Sequence, residues 1–224
     1  MARIRTVRMH LPGIALGLAT SVFVGSGAAA TEPDLVPGES GPPEEIAMGI
    51  REVLEAAGPK VTLESGTSLE FWFRKEWPGG GSTGRQGATF SDIGIGALLG
   101  AVRIDGPWSD YKGNAIEPGT FTLRYGMRPE DGNHMGVSVH LDFVLLVPVV
   151  EDPDLQVGWT QDDLNIMSFA ATGIGHPGVM SLAPNYEEPD EPAVFVDDAG
   201  GWAVSWKWEG GPVIGFVVEG EGEH

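Results

Sequence analysis

The chain has 224 residues and no cysteine, with 13 Lys+Arg against 32 Asp+Glu and a formal net charge of −19. The lack of thiols excludes a disulfide-stapled miniprotein, a thiol enzyme and a zinc–thiolate module. The negative excess repels phosphate backbones and so argues against nucleic acid as a partner.

Arg3, Arg5 and Arg8 form a basic start, an apolar run follows from Leu11 to Val24, and small residues lead to Ala28-Ala29-Ala30. This order predicts a cleaved signal peptide over 1–30 and an exported product, periplasmic or extracellular. With no Cys there is no lipid attachment site. No later apolar run approaches the roughly 20 residues of a spanning helix, so no transmembrane segment is expected in the mature chain. Residues 31–42 are rich in Pro, Gly and acids and read as a flexible tether. Residues 43–224 are expected to form one domain around one core.

Pro43-Glu44-Glu45 predicts a helix start, and Ile46, Ile50, Val53, Leu54 and Ala57 recur at helical spacing up to Gly58-Pro59. Lys60–Leu63 and Ser68–Arg74 read as strands, the second with Leu69, Phe71 and Phe73 on one face and Glu70, Trp72 and Arg74 on the other. A Gly-rich stretch over Gly79–Gly87 reads as a loop; it lacks the Lys-Ser/Thr end of a phosphate-binding loop. The later part of Ile93–Ile104, then Thr120–Tyr125 and Val137–Val149, continue the strands, the last apolar enough to be buried on both faces. Thr160 caps a predicted helix over Gln161–Ala170. Gly178–Leu182 is a short strand, Asn185–Pro192 an acidic loop, and Trp202–Trp208 with Val213–Val218 a hairpin. About eight or nine short strands with frequent turn signals and two minor helices predict an antiparallel β-sandwich, with a closed barrel as the alternative.

Glu70–Lys75, Pro118–Gly126 with Asp131–Gly136, Asp142–Pro148 and Gly175-His176-Pro177 together resemble a set of uncharacterised secreted bacterial proteins, over roughly residues 44–218. The resemblance implies a β-rich exported domain and carries over no activity. In that pattern a basic residue often stands where His140 stands here.

Three constellations offer chemistry. His134, His140, Asp142 and His176 combine imidazoles with a carboxylate, a donor set suited to a transition metal such as Zn²⁺, Cu²⁺ or Fe²⁺; His140 and Asp142 are two apart and would share a strand face. The acidic turns Glu151–Asp154 and Glu187–Asp190 offer oxygen ligands of the kind Ca²⁺ takes, without EF-hand spacing. Trp72, Trp77 and Trp108 lie beside acids or polar loops and, if exposed, could stack on sugar rings. Arg124 shares a face with Thr122, and if that face is covered it needs a carboxylate, for which Glu70 and Asp142 are the candidates; the alternative is that Arg124 anchors a ligand, with Trp72, Trp77 and Trp108.

No serine stands in a Gly-x-Ser-x-Gly elbow, and no motif fixes a reaction. The favoured expectation is a non-catalytic binding or assembly role at the envelope or outside the cell, with a glycan or an envelope protein as partner and no required cofactor. The alternatives are a metal-dependent enzyme and a carbohydrate-binding module.

Overall fold

A computed structural model describes residues 31–129, 138, 140–155 and 158–220. The unit that starts at Thr31 is built on one continuous antiparallel sheet of ten strands. The strands are β1 (Asp34–Pro37), β2 (Pro59–Thr62), β3 (Ser68–Phe73), β4 (Leu98–Asp105), β7 (Gly119–Met127), β8 (Asp142–Pro148), β9 (Val179–Pro184), β10 (Val194–Val196), β11 (Trp202–Lys207) and β12 (Val213–Glu219). A small hairpin, β5 (Trp108–Ser109) and β6 (Ala115–Ile116), stands apart from it. The spatial order is β1-β2-β3-β4-β7-β8-β9-β12-β11-β10.

The mainly β, antiparallel character agrees with the alternation in the sequence. The arrangement differs from the predicted sandwich: one sheet curls on itself instead of two sheets facing each other. The curl is visible in the aromatic contacts. Phe73 on β3 stacks on Trp206 of β11 at 4.8 Å and lies 4.8 Å from the Phe216 ring of β12. Trp208 Nε1 donates to the Arg74 carbonyl at 2.8 Å. Strands far apart in the ladder thus meet across the interior, and the sheet is nearly a barrel.

Period two explains the filling. Leu69, Phe71 and Phe73, with Leu123, Tyr125, Val144, Leu146, Met180, Leu182 and Val218, point inward and form one dry cluster. Each such side chain contributes about 1.5–3 kcal/mol by leaving water. The opposite face is covered in patches. Ile46, Ile50 and Leu54 lie over Trp72, Leu98 and Ala101. Helix α2 (Gln161–Thr172) lays Leu164 on Phe143, Leu145, Val147 and Val179, so β8 is buried on both sides as expected.

Two local readings change. The predicted first helix shrinks to the single turn α1 (Met48–Arg51), although Ile46, Ile50 and Leu54 are all buried. Glu55 N–H bonds to the Phe73 carbonyl and Lys75 N–H to the Val53 carbonyl, so this segment docks on β3 through its backbone and cannot also complete a helix. The expected tether 31–42 enters the sheet: Asp34–Pro37 pairs with Pro59–Thr62, and Trp72 Nε1 donates to the Ser40 carbonyl at 2.9 Å. At α2 the sequence reading holds. Thr160 Oγ1 accepts from Asp163 N–H, Asp163 accepts in return from Thr160 N–H, and Gly173 ends the helix in the left-handed region at φ 68°. Among the described residues no helix is long and apolar enough to cross a membrane.

Candidate functional site

The residues proposed as metal ligands do not assemble. His134 lies outside the described residues. Asp142 starts β8 with its side chain in the core. Its carboxylate accepts from Thr89 N–H at 2.8 Å, Phe90 N–H at 3.2 Å and Tyr125 Oη–H at 2.5 Å. His140 does not share that direction, because it lies in a bend before the strand begins; its Nε2 is 3.3 Å from Asp197 Oδ2. His176 is exposed in the loop after α2. Among the described residues no group of three or more His, Asp or Glu converges as a metal site. Asp142 instead pins the Thr89–Phe90 segment to the barrel wall. Of the acidic turns weighed for Ca²⁺, Asp152 is buried and its oxygens are taken by Arg124 and Thr122.

Arg124 does need a carboxylate, but its partner is neither Glu70 nor Asp142. Nε and Nη2 donate to Asp152 at 2.7 Å each, Nη2 also to the Asp154 carbonyl at 2.9 Å, and Nη1 to the Gly96 carbonyl at 3.1 Å. It is 1 % exposed, so it offers nothing to a ligand. The tryptophans are likewise inside. Trp72 is fully buried and Trp108 is 8 % exposed, with its Nε1 donating to the Val218 carbonyl. Neither presents a face for stacking on a sugar. Trp77 is half-buried against Trp208, and its Nε1 donates to Asp92. Glu70 accepts from Ser40 Oγ at 2.7 Å.

The fold is left open at the seam of the sheet. β1 and β10 are its two end strands, and each pairs on one side only. A groove of about 450 Å³ runs between β1 and the Asp190–Pro192 loop with the end of β11. Leu35, Val36 and Pro37 of β1 form one wall with Pro59; Glu191, Pro192 and Trp206 form the other. Lys207 Nζ bonds to Asp190 Oδ1 at 2.6 Å along that second wall. The base is tight. Gly38 N–H donates to the Gly58 carbonyl at 2.7 Å, and a Cβ on Gly58 would stand 2.1 Å from the Phe71 carbonyl oxygen, so only glycine fits there.

Gly38–Gly58 continues the β1–β2 ladder. In an antiparallel pair alternate residues turn their backbone groups to alternate sides. Val36, two before Gly38, therefore bonds toward β2, and the Leu35 amide and carbonyl face the groove. The Val36 side chain is 41 % exposed. Sequence reasoning missed this surface because its parts are scattered. Leu35-Val36 is too short for a periodic signal, and Trp206 reads as core, which is half true since one of its faces stacks on Phe73.

Neither a protein-family model, nor a curated protein, nor a solved structure matches this chain.

Proposed function

We propose that the chain is an exported, non-catalytic binding protein, acting at the cell envelope or outside the cell, that takes up an extended segment of a partner protein along the seam of its sheet. The observation that carries this reading is that the end strand β1 faces a groove of about 450 Å³, closed on its other side by the Asp190–Pro192 loop and the end of β11, and has no strand paired on that edge. A free sheet edge recognises extended chain by adding a strand. Main-chain bonds supply affinity, and pockets for alternate side chains supply selectivity. The short edge of β1, four residues, with Pro37 and Pro59 beside the groove, discourages uncontrolled pairing between copies and limits the guest to a short segment.

The chemistry of the guest follows from the walls. Leu35 and Trp206 favour apolar side chains at alternate positions. Glu191 in the wall and the net charge of −19 favour Lys or Arg between them. The test is fluorescence anisotropy with short labelled peptides that alternate Val with Lys, Val with Glu, and Gly with Lys. Only the Val–Lys peptide should bind well, and Glu191→Lys should weaken it by about tenfold while leaving the melting temperature unchanged. Equal binding of the Gly–Lys peptide would reduce the interaction to general charge attraction. That result, or no binding by any of them to folded protein, would overturn the reading.

A further inference from the structure

A second cleft runs along α2 from Gln161 to Phe169, beside the turn of the β5–β6 hairpin, with a volume of about 350 Å³. We propose that this cleft binds a small organic carboxylate with an apolar body. The proposal is independent of the seam.

Its floor is apolar. Phe143 and Val179 are buried there, and Phe169 of α2 is half-buried beside them. The rim carries Lys112, Asn114, Gln161, Asn165 and His176, and among the described residues no Asp or Glu lines it. The chain has 32 acids and 13 Lys+Arg, so a cleft whose described lining holds a Lys and a His but no acid is set apart from the rest of the described surface.

The polar groups are held in place. Asp110 is 2 % exposed and fixes the hairpin turn: Oδ1 accepts from the N–H groups of Lys112 at 3.1 Å and Asn114 at 2.9 Å, and Oδ2 accepts from Asn114 Nδ2 at 3.0 Å. Its negative charge is thereby engaged behind the rim. On the other side Gln161 is seated against Gly126, where any Cβ would meet it at 2.9 Å. Gln161 Oε1 accepts from Met127 N–H at 3.1 Å, which leaves its Nε2 to donate to Asn165 Oδ1 at 3.1 Å. That chain of bonds orients Asn165 so that its amide nitrogen remains a donor. His176 is placed by Thr172 Oγ1, which donates to the His176 carbonyl at 2.6 Å.

The ligand class follows. An apolar floor of this size suits the lower end of small-molecule sites. A Lys, a His and an oriented amide at the mouth suit an anionic head. The overall negative charge does not prevent it. At physiological ionic strength charges beyond about 8 Å are largely screened, so the groups at the mouth dominate.

The experiment is isothermal titration calorimetry of the full chain with phenylacetate and hexanoate, against 2-phenylethanol and hexanol as neutral matches. The acids should bind saturably, one per chain, and at least about tenfold more tightly than the alcohols. Lys112→Glu should abolish the difference. Lys112 is exposed, so the fold should survive, as checked by circular dichroism. Asn165→Asp gives a second reading by placing a like charge at the rim without loss of size. Glu191→Lys at the seam should leave carboxylate binding unchanged. Equal affinity for acid and alcohol, unchanged binding in both cleft variants, or no binding of either acid to native protein would each overturn the proposal.

Discussion

Arg124 and Asp152 meet in a two-bond fork, Nε to Oδ2 and Nη2 to Oδ1, each at 2.7 Å, with both side chains shut away from water. Thr122 Oγ1 adds a third donor to Asp152 at 2.6 Å. The cluster ties β7 to the loop after β8, and through the Gly96 carbonyl to the turn before β4. A buried pair of this kind recovers its desolvation cost only while both members are present.

Removing one member should therefore cost more than removing both. Asp152→Ala leaves a buried guanidinium without a counter-charge and should lower stability by about 3–5 kcal/mol. The double change Arg124→Leu/Asp152→Leu should lower it by clearly less. Urea denaturation of the two single variants and the double variant checks this. Simple additivity would show that the two side chains act separately.

Tyr125 and Asp142 predict an alkaline limit. Burial first, and then the bond to the Asp142 carboxylate, push the Tyr125 phenol far above its ordinary value. A raised folded value means that the unfolded chain ionises first. The contribution is complete below about pH 10, the ordinary phenol value, and is lost progressively above it. Tyr125→Phe should flatten the alkaline limb of the stability profile. Near neutral pH it should cost about 1–3 kcal/mol, since the buried Asp142 loses a donor.

Asp197 governs part of the acid side. Burial pushes its carboxyl up, but the His140 ring and the N–H groups of Gly201 and Ala199 outweigh burial and hold it below the ordinary range. Its contribution is present above about pH 4, the unfolded value, and fades as pH falls through the lower folded value. Asp197→Asn should make stability less steep in that window. Acid titration followed by tryptophan fluorescence would record it, and an unchanged acid limb would remove Asp197 from the account.

The sequence made the walls legible and left the closure hidden. Leu69-Phe71-Phe73 and Phe121-Leu123-Tyr125 alternate cleanly because each strand has one face in the core. The need of Arg124 for a carboxylate was legible from its place beside Thr122. That the carboxylate is Asp152 was not, because the loop after β8 folds back across the sheet and local spacing says nothing about that return. Ile46, Ile50 and Leu54, which recur at helical spacing, are buried, but spacing by four does not separate a helix from an irregular segment that docks three side chains. Alternation alone leaves Trp72 between surface and core, and it is the covering of β3 by this segment that buries it. The seam depends on strand order, which is set by long-range pairing and turns, so neither of its walls could be foreseen.

Phe195 and Gly215 give the sharpest test of how the seam is held open. β10 has only three residues and pairs on one side, so its ladder alone is a weak hold. Its Phe195 ring reaches over β11 to β12 and lies where a side chain on residue 215 would be: a Cβ there would stand 2.3 Å from Cζ of the ring. Ala183, Ala203 and Gly215 together leave a shallow seat of small residues on the outer face, and Phe195 fills it. Gly215→Ala should expel the ring and cost about 1–3 kcal/mol through overpacking. Hydrogen exchange should show the loss concentrated at Val194–Val196, with β3 and β7 unchanged. Adding Phe195→Leu should recover part of the loss, because the shorter side chain no longer reaches the new methyl group. If Gly215→Ala leaves exchange at β10 as it was, the ring is not what fixes this strand, and the second wall of the groove must be held by the Lys207–Asp190 pair and the loop before it.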